Sequence, residues 1–352
     1  MTEIKRSSGL DIVKSFAILF VVGVHFFLNT NFYSVSIEGV SMIFQLECRW
    51  IFIICVPLFL LLTGYLQSNK ELNINYFKKI IFILGIYLFY SLASIIMKVV
   101  YFGQQGSAMK WVSDILSFQA NGYSWYINMY IGLFVLIPFL NIIFNNIKQK
   151  KEHQMLLLAM VFLTLLPGFL NSIPLVPGRA SYPILPDYWI NFYPVTYYFI
   201  GCYLRKYQVV VNQAFAIVVF IGITVLETIL TYCFSWGKTF TYVIGDYGSL
   251  LVAIQAVSFF LIFYKTNINN KYARGLLGLI SAVSLDIYLC SYITDQIIYN
   301  FVMEKIFISQ QQVILIAVPA VAISFTIALI VAVIRYKVTG AASKLFVPRA
   351  NQ

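Results

Sequence analysis

Apolar stretches of membrane-crossing length alternate with short polar connections along nearly the whole chain. Cut at charge clusters and at Pro, Gly and Asn punctuation, they fall at about residues 10–30, 50–67, 79–102, 124–145, 155–173, 189–206, 209–234, 241–264, 278–301 and 311–335. A bilayer core takes about 20 mostly apolar residues per helix. The pattern therefore predicts an all-α polytopic membrane protein of about ten transmembrane helices. The run at 189–206 is short, rich in Tyr and contains Pro194. The connection at 174–188 holds four prolines and one glycine, which predicts a turn-rich loop or flap. No A-x-A-like site follows the first run, which continues past signal-peptide length and reads as the first span. The chain reads as one membrane-embedded domain over 1–352, without an internal repeat.

Composition agrees. Of the 352 residues 61% are hydrophobic and 11% charged, against roughly 45–50% and about 25% for soluble domains. A soluble globular protein is excluded. The net charge of +11 would suggest nucleic acid on a soluble protein. With both termini placed in the cytoplasm, however, 18 of the 24 Lys and Arg fall on the inner side and 6 on the outer. The excess is thus a topology signal, and no nucleic-acid partner is needed. The five cysteines are odd in number and widely spaced, so neither a disulfide framework nor a thiolate metal site is expected.

Ionisable side chains inside spans are expensive and usually face the bundle interior or a wet cavity. Here they are Asp11, Lys14 and His25 in the first run, Lys98 in the third, Glu227 in the seventh, and Asp286 and Asp295 in the ninth. At about 100° per residue, Lys14 and His25 differ by roughly 20° around the helix, and at 1.5 Å per residue they stand about 16 Å apart along it. Asp11 shares the stripe. The pair suits two ends of one long ligand or channel; an interfacial Asp11–Lys14 pair with His25 as a packing contact is the bland alternative. His25 is the lone imidazole within a span, and imidazole is the side chain best suited to take a proton from a hydroxyl near neutral pH. His153 falls in a basic loop. No GxSxG, HExxH, Walker or GxGxxG motif stands in a usable context. Cys290 and Ser291 offer a nucleophile on paper, but small residues easing helix packing explain them better. Lys78 and Lys79 either hold an anionic group, such as the phosphates of an acyl carrier, or simply follow the positive-inside rule. Trp125 and Tyr126 fit an outer aromatic belt, and cavity-facing aromatics would also suit a glycan.

Several stretches together resemble the acyltransferase type 3 family, integral-membrane O-acyltransferases of bacterial surface polysaccharides. They are LDIVKSFAILFVVGVH at 10–25, VPLFLLLTGYL at 56–66, YFKKI at 76–80, SWYINMYIGLFVLIPFLN at 124–141 and SLDIYLCSY at 284–292. The family has an Arg and a His separated by ten residues in its first helix; Lys14 and His25 hold those positions here. The resemblance implies that His25 is the catalytic imidazole and that Lys14, Lys78 and Lys79 bind or orient acyl-CoA. Phe82, Asp286 and Ser291 depart from the family's commoner residues. Some relatives carry a fused SGNH-type domain; none is expected within this chain.

The expected function is transfer of an acyl group, acetyl foremost, from cytoplasmic acetyl-CoA (acyl-CoA) to a hydroxyl of a surface or lipid-linked polysaccharide. His25 and Lys14 are the expected catalytic residues, Lys78 and Lys79 the donor-binding ones, and Asp11 or Glu227 possible orienters of the histidine. No metal is expected. The setting would be a bacterial plasma membrane, with membrane lipid around the protein and polysaccharide-synthesis proteins as possible partners. Two other readings stay open: a secondary transporter or polysaccharide exporter with Glu227, Asp286 and Asp295 as an ion relay, and a non-catalytic subunit of a polysaccharide synthase.

Overall fold

Proline and the bilayer's demand for paired backbone groups explain where the long apolar runs fold as continuous helices and where they break. The computed structural model describes residues 7–173, 183–306 and 309–346. Most of the proline-rich connection predicted at 174–188 lies outside them. In chain order the helices are α1 Ser8–Leu28, α2 Val40–Ile53, α3 Cys55–Gln67, α4 Ile74–Phe77, α5 Lys79–Val100, α6 Ala108–Leu116, α7 Trp125–Asn146, α8 Lys150–Met160, α9 Leu166–Leu170, α10 Tyr193–Tyr207, α11 Gln213–Ser235, α12 Leu250–Phe263, α13 Lys271–Ala282, α14 Ser284–Lys305 and α15 Val313–Phe346. A π-helical turn, Val161–Leu165, joins α8 to α9. Among the described residues there is no strand beyond a single bridge between Ile37 and Trp236.

The all-α membrane architecture holds, but the count of ten is not confirmed. Among the described residues seven helical stretches are long and apolar enough to cross a bilayer, and α13 with α14, bent by 71°, makes an eighth if taken as one span. The run at 189–206 forms a helix of 15 residues and that at 241–264 one of 14. At 1.5 Å per residue these reach only about 20 Å, short of a hydrocarbon core of about 30 Å. Hydropathy counts apolar residues and does not see where the chain turns.

Two prolines show how breaks are accommodated. Pro57 has no N–H to give Ile53, and the run breaks at Ile54 into α2 and α3. Pro138 sits inside α7 and leaves the Phe134 carbonyl without its helical donor; the Tyr76 hydroxyl fills the gap at 2.8 Å, its ring stacked on Phe134.

The ends that carry most Lys and Arg gather at one side of the bundle. Asn141 of α7 donates to the carbonyls of Gln67 and Lys70 after α3, Lys206 of α10 to Ile147 after α7, Lys265 to Gln208, and Ser8 of α1 to Thr266. His153 is not a loop residue: it is fully buried in the first turn of α8, with its ring nitrogens near the carbonyls of Gln149 and Phe144. It ties α7 to α8. Gly64 of α3 and Gly201 of α10 let those two backbones touch, since a Cβ on either would overlap a carbonyl of the other helix. The first helix, α1, is buried along most of its length and packs on α2, α3, α12, α13, α14 and α15. It forms the axis around which the site is built.

Candidate functional site

The stripe read on α1 lines a cavity. Lys14, Val21, Val24, His25 and Leu28 form one wall of a space of ≈ 380 Å³, closed by Cys55, Phe59, Thr63 and Gln67 of α3, Tyr126 and Tyr130 of α7, and Ser284 and Tyr288 of α14. His25 stands toward the outer end and Lys14, half-buried, toward the basic end. The two candidate residues thus share one space, about 16 Å apart along the helix.

His25 is 4% exposed and Asp295 of α14 fully buried. The His25 Nδ1 lies 3.4 Å from Asp295 Oδ2. The other carboxylate oxygen accepts a hydrogen bond from Ser324 of α15, whose Oγ is also 2.8 Å from the Thr294 hydroxyl. Tyr123 stacks on the imidazole with ring centroids 3.4 Å apart and directs its hydroxyl to Asp295 Oδ2 at 3.3 Å. Asn29 donates to that phenol oxygen at 2.9 Å and receives from Gln296 at 2.9 Å. The Tyr123 segment is held in turn by α14: Tyr288 donates to the Tyr123 carbonyl, and Asn121 to the Leu289 carbonyl at 2.8 Å. Side chains from four parts of the chain therefore fix one imidazole.

A carboxylate facing Nδ1 favours the tautomer with its proton there and leaves Nε2 as the basic nitrogen for the cavity. The same carboxylate stabilises the imidazolium that forms when Nε2 takes a proton. An acid buried this deeply needs partners, and His25, Ser324 and Tyr123 supply them. The arrangement can remove a proton from a hydroxyl placed in the cavity.

The other expected residues scatter. Asp11 is buried on α1 fourteen residues before His25, about 21 Å away along the helix. Glu227 is fully buried on α11, and neither of its carboxylate oxygens has a hydrogen-bond partner among the described residues. The carboxylate at the histidine is Asp295 instead, an acid to which the sequence gives a role only in the ion-relay alternative. Asp286 makes a paired contact with the Arg335 guanidinium of α15, including Nη2 to Oδ2 at 2.8 Å. Asp286 and Asp295 therefore have separate partners, and Glu227 joins neither group.

Lys78 and Lys79 are exposed where α4 meets α5 and do not line the cavity. Ile83, one turn beyond Lys79 on the same face, does. Phe82 is exposed. Ser291 is buried and bonded to the Tyr288 carbonyl at 2.8 Å. Among the described residues no group of three His, Cys, Asp or Glu side chains gathers as metal ligands do.

Tyr123 and Ser324 escaped the sequence reading because neither is costly in a membrane by itself. Asp295 was visible as a buried charge, but its pairing with His25 crosses 270 positions. Trp125 and Tyr126, read as belt residues, line the cavity.

No curated protein and no solved structure matches the chain. A family model described as an acyltransferase domain matches residues 7–333. That match takes in α1 with Lys14 and His25, the segment bearing Tyr123, and α14 and α15 as far as Asp295 and Ser324. The chain belongs to the acyltransferase type 3 family, and it is a membrane acyltransferase.

Proposed function

We propose that the protein is an O-acyltransferase that moves a short acyl group, acetyl foremost, from acyl-CoA on the cytoplasmic side to a hydroxyl of a surface or lipid-linked glycan. The observation that carries this reading is His25, backed by Asp295, in the wall of a cavity that Lys14 also lines. A long cavity with a cation toward one end and a base toward the other suits a long anionic thioester donor. Lys14 meets its charged or polar part, and the thioester carbonyl comes to rest near His25.

The reaction then needs one proton carrier. The acceptor hydroxyl gives its proton to His25 Nε2 as its oxygen bonds to the thioester carbon. The carbon–sulfur bond breaks, and the imidazolium returns the proton to the departing CoA sulfur. Asp295 keeps the ring oriented and balances its transient charge while staying ionised. Lys78 and Lys79, outside the cavity wall, would attract the nucleotide phosphates of the donor. Nucleic acid has no part in this scheme; proteins of glycan synthesis would present the acceptor.

The test is mass spectrometry of surface glycans from cells carrying the wild-type protein, none, or His25→Ala. Wild type adds acyl esters; His25→Ala at equal membrane abundance leaves the glycan exported but unesterified. Esters at wild-type level with His25→Ala would sink the mechanism. Loss of the polymer itself would point to an exporter.

A further inference from the structure

The outer end of the cavity differs chemically from the end near Lys14. Toward the basic end, aliphatic side chains such as Leu62, Leu66 and Ile83 line it; toward the outer end it is walled by Trp125, Tyr126 and Tyr247. Trp125, the first residue of α7, lies two residues after Tyr123, the ring that covers the His25 imidazole. Its indole stacks on Tyr247, centroids 5.4 Å apart and planes 27° apart. Tyr247 comes from the connection between α11 and α12, and this connection is fixed. The Tyr197 hydroxyl donates to the Tyr247 carbonyl at 2.8 Å, and Gly245, at φ +78°, lies so close to Gly168 that a Cβ would overlap the Gly168 carbonyl. Next to Tyr247, the carboxylate of Asp246 is held 3.3 Å from the buried Arg49 guanidinium, yet its side chain is 40% exposed. Trp125 is itself 41% exposed.

A lipid-facing belt residue would not need a partner ring from another connection inside a cavity. We infer that Trp125 and Tyr247 form the acceptor subsite, a platform on which a sugar ring of the glycan lies while Asp246 receives its hydroxyls; this rests on the function proposed above. The apolar face of a pyranose matches an aromatic surface, and the partly exposed carboxylate of Asp246, next to Tyr247 in the chain, would favour hydroxyls over phosphate or carboxylate groups. A ring seated there lies beside Tyr123 and hence beside the base that must reach its hydroxyl.

The test uses the protein in lipid nanodiscs with radiolabelled acetyl-CoA and, as acceptor probe, alkali-de-esterified surface polysaccharide from the producing cells. Trp125→Ala and Tyr247→Ala should each raise the polysaccharide concentration for half-maximal transfer about tenfold, the value of one lost aromatic stack. The KM for acetyl-CoA should hold, and Trp125→Phe should stay within about threefold of wild type. Tryptophan fluorescence, measured without donor, should be quenched saturably by the polysaccharide in wild type and much less in Trp125→Phe. Transfer by wild type with an unchanged polysaccharide KM in both alanine variants overturns the platform and leaves the acyltransferase reading standing. Quenching that depends on Trp125, without any transfer, keeps the platform and overturns the reading. Neither quenching nor transfer overturns both.

Discussion

Replacing Asp295 by Asn isolates the role assigned to the carboxylate, because the swap keeps size and shape. The amide oxygen can still accept from Ser324, but its N–H₂ would then face His25 Nδ1 and the Tyr123 hydroxyl. A donor at Nδ1 favours the opposite tautomer, with the proton on Nε2, where the cavity needs a lone pair. The transition state also loses the attraction between carboxylate and developing imidazolium. At the observed 3.4 Å and an effective dielectric constant of about 20, that attraction is about 5 kcal/mol. With about 1.4 kcal/mol per factor of ten, kcat should fall by roughly three to four orders of magnitude. Release of CoA thiol with a chromogenic disulfide reports kcat and KM together, and the KM for acetyl-CoA should move little, since Asp295 does not meet the donor. Thermal unfolding of the purified variant checks that the loss is not a folding defect. A folded Asp295→Asn protein with kcat within about tenfold of wild type would refute the argument, leaving Asp295 as a buried tie between α14 and α15.

Three further outcomes follow from the same contacts. Lys14→Arg should keep activity and Lys14→Ala should raise the KM for acetyl-CoA at least about tenfold, because a cation and not a particular head-group shape is called for; steady-state titration of the donor decides this. Asp286→Ala should destabilise the protein by about 3–5 kcal/mol by stranding the Arg335 guanidinium, and Asp286→Leu with Arg335→Leu should recover much of it, as read by denaturant unfolding in detergent; an unaffected single variant contradicts this account of the pair. Gly201→Ala should lower the yield of monodisperse protein on size exclusion, since the new Cβ would overlap the Leu61 carbonyl across the α3–α10 contact.

What could be read from the chain beforehand follows from what is local. Lys14 and His25 lie eleven residues apart on one helix, so the 3.6-residue period is enough to put them on one stripe, and the cavity falls on that stripe. The spans of α1, α5, α7, α11 and α15 are likewise legible, because lipid demands their length and apolarity. Where backbone groups find partners outside their own helix, the pattern loses its grip. The run at 124–145 is legible as one helix despite Pro138, but not what lets it continue: Tyr76, far away in sequence, supplies a donor to the Phe134 carbonyl. The helix before Pro57 is interrupted at Ile54, and Cys55 and Val56, just beyond the interruption, line the cavity. The charged residues obey the same division. Counting expensive side chains found Asp286, Asp295 and Glu227, but cost alone does not say which is paired with what. Asp286 meets Arg335 on α15, and Asp295 meets His25 on α1, although they are only nine residues apart on one helix. At 1.5 Å per residue that separation is about 13 Å along the helix, so the two acids meet α15 at different heights, Asp286 at Arg335 and Asp295 at Ser324. One fastens the bundle, and the other faces the histidine. Two carboxylates about 13 Å apart along a helix cannot both meet one imidazole, yet spacing does not say whether Asp286, Asp295 or Glu227 faces His25, because the contact is made across helices.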